Sequence, residues 1–126
     1  MKTTRRDFRV FKKTARKMLE LYGLSDWVPY FYWEKMEGAI ARVECDQPNR
    51  ICHISLGKNM NANGGRDRRK LVIGCAIHEV HHVLVQDLVY RAYTRFVPSQ
   101  EDIDKTEHAL VRRLDRFVKK YTRATE

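Results

Sequence analysis

Leu71-Val72-Ile73-Gly74-Cys75-Ala76-Ile77-His78-Glu79-Val80-His81-His82-Val83-Leu84-Val85 is the stretch on which the fold turns. It is too continuously apolar for a surface helix and too long for a strand, so it reads as the buried centre of a helix. Asp67 is placed to cap that helix, which the apolar pattern carries from Arg68 to about Tyr93. Three histidines and a glutamate are costly inside such a helix unless they have partners. Their spacing suggests one. Residues four apart lie above one another on a helix, so His78 and His82 can converge on a single tetrahedral Zn2+. Glu79, one step round, is off axis for ligation and placed to take a proton from a zinc-activated water. Chance would put a His-Glu-x-x-His pattern in roughly one shuffled copy in a hundred of a chain with this His and Glu content. His81 reads as a supporting or surface residue, because the four-residue pair uses His82.

A catalytic zinc takes three protein ligands and leaves one position open. The last helix offers the third. Ser99 with Asp102 three residues later resembles a capping box, and the helix it opens runs to about Tyr121. Its apolar stripe is Ile103, Leu110, Val111, Leu114, Phe117, Val118 and Tyr121, and Glu107 falls on that stripe. A carboxylate pointing into a core calls for a cation, so Glu107 is the expected third ligand, with Asp104 and His108 as alternatives.

Upstream, Phe8, Phe11, Ala15, Met18, Leu19 and Tyr22 recur at helical spacing between basic residues, which predicts a helix from about Thr4 to Tyr22, stopped by Gly23. From Trp27 the pattern changes to short runs broken by turn residues: Trp27 to Glu34, Ala39 to Cys45 and Ile51 to Leu56. In the second run Ala39, Ala41, Val43 and Cys45 face one way and Arg42 and Glu44 the other. Three strands in sequence suggest an antiparallel meander. Gly57 to Arg66 is Asn- and Gly-rich and reads as a loop; no Gly-Lys-Ser or Gly-Lys-Thr ends it, which excludes a phosphate-binding loop. The expectation is a single α+β domain over residues 1–126: helix, three strands, motif helix, C-terminal helix.

Composition sets the remaining bounds. Hydrophobic residues are 43% and charged residues 33%, with no low-complexity tract, as in a folded globular chain. The first twenty residues are rich in Lys and Arg, and no apolar stretch approaches the roughly 18 residues of a membrane span. A cytoplasmic protein is expected. Cys45, Cys52 and Cys75 are an odd number without a CxxC spacing, which suits reduced, buried thiols better than a disulfide framework. The net charge of +9 is concentrated at the two ends of the chain. Two basic helices could contact nucleic acid or an acidic partner.

With His78-Glu79-Val80-His81-His82 and the later Glu107-His108-Ala109-Leu110-Val111-Arg112-Arg113-Leu114-Asp115, the chain resembles the zincin metallopeptidases. More narrowly, it is similar to small phage, prophage and bacterial proteins of the ImmA/IrrE and SprT-like kinds. A Glu on the helix after the motif is similar to the gluzincin arrangement. The third His and the Cys-rich ribbon common in SprT-like proteins are not seen, nor is the additional domain usual in ImmA/IrrE-like ones. The resemblance implies a zincin-like fold, a zinc cofactor and hydrolysis of peptide bonds in a protein or peptide substrate. It also implies that Ile51 to Leu56 is the substrate-side strand, with the Gly57 to Arg66 loop bordering the cleft. Tyr93, His108 and His53 are the candidates for steadying a developing oxyanion.

Overall fold

The computed structural model describes residues 2–59, 67–95 and 100–125. Most of the expected Gly57 to Arg66 loop and the expected Ser99 cap lie outside the described residues. The elements are α1 (Arg5–Leu21), β1 (Val28–Glu34), β2 (Ala41–Asp46), β3 (Ile51–Gly57), α2 (Arg68–Leu84), α3 (Gln86–Arg95) and α4 (Gln100–Thr125). The fold class is α+β.

α1 starts where a reciprocal cap allows it. Thr4 Oγ1 accepts the Asp7 amide at 3.2 Å, and Asp7 Oδ2 accepts the Thr4 amide at 2.8 Å. Its apolar face buries Phe11, Ala15, Met18 and Leu19, chiefly against α2, while its basic residues point outward. α2 starts at Asp67, whose Oδ1 accepts the Lys70 amide at 3.1 Å. Val72, Ala76, Val80 and Val83 of α2 close the core with Cys52, Ile54 and Leu56 of β3. Burial of a large apolar side chain such as Phe11, Ile54 or Leu56 contributes about 1.5–3 kcal/mol.

The sheet is not an antiparallel meander. Its order is β1-β3-β2, with β1 parallel and β2 antiparallel to a central β3. The reason is visible in burial. From Cys52 to Gly57 nearly every residue of β3 is buried, as in a strand flanked on both edges, whereas Arg42 and Glu44 on β2 alternate outward. The helices cover one face of this sheet; the other carries the exposed Val28, Tyr30 and Tyr32 of β1.

The long second helix also divides. It ends at Leu84, and the Val85 amide turns back to the His81 carbonyl at 3.2 Å before α3 begins. The bend sets Asp87 against Arg50 at 2.6 Å, tying α3 to the β2–β3 turn. In α4 the predicted stripe is buried at Ile103 and Val111 and half-buried at Leu110, Leu114 and Val118, but Phe117 is 67% exposed. Among the described residues, no helix is long and apolar enough to cross a membrane.

Candidate metal centre

α2 and α4 pack in opposite directions, and their polar side chains meet in pairs. On α2, His78 and His82 stand one turn apart with their Nε2 atoms 3.3 Å from each other. On α4, Glu107, Val111 and Asp115 follow at four-residue intervals along the face turned to α2. Asp115 Oδ2 lies 2.6 Å from His78 Nδ1, and Glu107 Oε2 is hydrogen-bonded to His82 Nδ1.

These contacts assign the ring hydrogens. A carboxylate can only accept, so His78 and His82 each donate Nδ1–H to α4 and turn an Nε2 lone pair toward the other ring. Two neutral rings so placed set lone pair against lone pair, a repulsion relieved by a proton shared between the Nε2 atoms or by a metal cation bound to both. Two imidazole nitrogens bound to one tetrahedral zinc at Zn–N of about 2.0–2.1 Å lie about 3.3 Å apart. The separation in this structure has that value. Among the described residues, the donor atoms of His78, His82 and His108 all fall within 4.8 Å of one another. The His108 ring stands edge-on to His82 at 5.1 Å. Three imidazoles, two of them backed by carboxylates, are a donor set suited to zinc.

Glu107, expected as a ligand, does point inward, with its side chain 16% exposed, but its oxygen is engaged on the far nitrogen of His82. Its neighbour His108 offers a nitrogen within 4.8 Å of one on each of His78 and His82. Asp104, the other alternative, accepts the Tyr93 hydroxyl at 2.5 Å, a bond that pushes the Tyr93 pKa up to about 12. His53 lies on the opposite face of the sheet, stacked on Tyr30 and Tyr32 and bonded to Tyr32 Oη at 3.0 Å.

The electrostatics follow from burial and pairing. Burial pushes the Asp115 carboxyl up, but hydrogen bonds from His78 and His81 outweigh it and hold it at about 2. The bond to Asp115 raises the His78 pKa against the effect of burial. Glu79 is buried and its pKa is raised by desolvation, with His82 and His78 pulling the other way. Asp115 is not among the candidate site residues that the sequence singles out. Its signal was its position, eight residues after Glu107 and four after the buried Val111.

Beside the histidines a groove of about 660 Å3 runs between α2 and the chain leading into β2, lined by Ile40, Leu71, Gly74, Cys75, His78 and Glu79 among others. β3, expected to be the substrate-side strand, has a neighbour on each edge and cannot take another. The strand at the sheet edge that packs on α2 is β2. Compared with known proteins, the chain matches no family profile, no curated protein and no solved structure.

Proposed function

We propose that this chain is a zinc-dependent metallopeptidase of zincin-like fold, in which His78, His82 and His108 hold the metal and Glu79 is the general base. The observation that supports it best is the pair of Nε2 atoms 3.3 Å apart, each on a ring whose other nitrogen is engaged by a carboxylate. Bound zinc would act as a Lewis acid, polarising a carbonyl and lowering the pKa of water toward neutrality.

The chain's own residues do the rest. Asp115 and Glu107 hold the two α2 imidazoles in the tautomer that offers Nε2, so neither ring has to reorganise. Glu79 lines the groove beside His78, where an extended peptide along the β2 edge would pass. Burial raises its affinity for a proton, which suits a base that takes one from the attacking water and returns it to the leaving amine. Glu107, the ligand that sequence alone favoured, becomes the partner that orients His82.

The test is hydrolysis of a peptide library, read by mass spectrometry, with zinc-loaded wild type beside Glu79→Gln. The variant should keep its zinc and fold and lose about 100-fold or more of the cleavage. Equal cleavage by both, or none by zinc-loaded wild type, would contradict the reading.

One observation favours a second role. Arg5, Arg6, Arg9, Lys13, Arg16 and Lys17 are all exposed on α1, and Arg112, Arg113 and Arg116 on α4. A non-catalytic protein of phage type that contacts nucleic acid or an acidic partner would use such faces. Binding to duplex DNA that weakens steeply with salt, and with neutralisation of Arg112, Arg113 and Arg116, would support that role.

A further inference from the structure

His81 is fully buried although neither of its nitrogens faces the proposed metal position. Its Nδ1 lies 2.5 Å from Asp115 Oδ1, and its Nε2 lies 2.6 Å from the hydroxyl of Tyr22, the residue that ends α1. Asp115 thus bridges two histidines of one helix, taking His81 on one oxygen and His78 on the other. With both imidazoles neutral, every hydrogen in this row has one consistent place. Asp115 accepts from both Nδ1 atoms, so the His81 Nε2 is the acceptor and Tyr22 the donor. The row runs from the Tyr22 O–H through His81 and Asp115 to His78, and it ends on a lone pair at His78 Nε2.

We propose that Tyr22 and His81 are positioning residues for the metal ligand His78, fixing its tautomer through Asp115 and coupling the docking of α1 to metal affinity. The inference rests on the metal reading above and extends it to a helix that contributes no ligand. The physical need is specific. A carboxylate with one partner can rotate or trade oxygens, and His78 could then present either nitrogen. With Oδ1 committed to a buried imidazole, itself locked by Tyr22, only Oδ2 remains for His78. His81 sits on α2 within the core, so this clamp moves with the helix that carries two of the three proposed ligands. Tyr22 reaches it across the α1–α2 contact, with ring centroids 5.5 Å apart.

The decisive variant is Tyr22→Phe, which keeps the ring and removes one hydroxyl. Zinc affinity, measured by competition with a chromophoric chelator, should fall about tenfold, within the range for groups that orient metal ligands. The visible spectrum of the cobalt-substituted protein should shift. His81→Gln retains a donor for Asp115 and an acceptor for Tyr22 and should recover most of the affinity that His81→Leu loses. In the zinc-free protein, nitrogen NMR of the His78 ring should show a single Nδ1–H tautomer in wild type and a mixture in Tyr22→Phe. A Tyr22→Phe variant that loses stability yet keeps wild-type zinc affinity, cobalt spectrum and His78 tautomer would overturn the proposal, leaving Tyr22 a packing residue. Wild type that binds no zinc would refute the metal reading instead, and the NMR comparison would still decide whether Tyr22 sets the His78 tautomer.

Discussion

Replacing Asp115 by Asn removes the charge that organises both α2 histidines while preserving volume. In the folded protein its carboxyl is held at about 2, against an ordinary value of 3.8. A depression of this size contributes about 2 kcal/mol, at 1.36 kcal/mol per pKa unit. The sign follows from linkage. Because the folded pKa is the lower one, the contribution is fully present above pH 3.8 and is lost as pH falls toward about 2. Asn also offers one oxygen to two Nδ1–H groups and sets its amide against the other, leaving a fully buried His81 donor short of an acceptor. Urea unfolding of the zinc-free proteins at pH 7, 5 and 3 should therefore show Asp115→Asn less stable by about 2 kcal/mol at pH 7. Its stability should also fall less than that of wild type as acid is added. A variant within about 0.5 kcal/mol of wild type at pH 7, with the same acid dependence, would refute the electrostatic argument, since changes of that size are ordinary for unimportant surface sites.

Three further outcomes rest on Gly74 and the cysteines. Gly74 lies inside α2, and a Cβ built on it meets nothing within 4 Å, so Gly74→Ala should raise stability by about 0.5–1 kcal/mol in thermal unfolding; Gly74→Trp, projecting into the groove, should lower turnover without releasing zinc. Burial pushes the Cys45 thiol up to about 12 and those of Cys52 and Cys75 to about 11, so iodoacetamide at pH 8 should label the folded protein slowly and the urea-unfolded protein fast.

How much of this was legible in sequence depends on which force set each feature. α1 was readable to within a residue because its apolar period and the Thr4 and Gly23 signals are local. The strands were readable for the same reason, but their order was not. Alternation in β2 and apolar continuity in β3 say which strand is at an edge and which is central, and reading them as successive hairpins ignored that difference. The break at Val85 carries no Gly or Pro; the chain turns where Asp87 meets Arg50, a contact between distant segments.

The convergence of His78 and His82 was legible because helical geometry alone brings i and i+4 together. The role of Glu107 was not. Stripe reasoning placed it inward, where it is, yet a facing helix offers two nitrogens per histidine, and periodicity does not tell the metal side from the outer one. His108, one position on, is exposed and off the stripe, so the sequence offers it only as an alternative to Glu107. Apart from its spacing from Glu107, Asp115 carries no local signal of its own: it meets His78 and His81 only because α4 packs against α2.

Zinc binding by single variants is the direct test of the proposed metal site. Purified wild type, His82→Ala, His108→Ala and Glu107→Ala would be titrated with zinc against a chelating dye, with metal content measured in parallel. Wild type should hold one zinc tightly, and His82→Ala and His108→Ala should each lose it. Glu107→Ala should still bind, weakened about 10- to 100-fold as for loss of an orienting carboxylate. Zinc held as tightly by His108→Ala as by wild type, with none held by Glu107→Ala, would contradict the proposed site and return Glu107 to the metal.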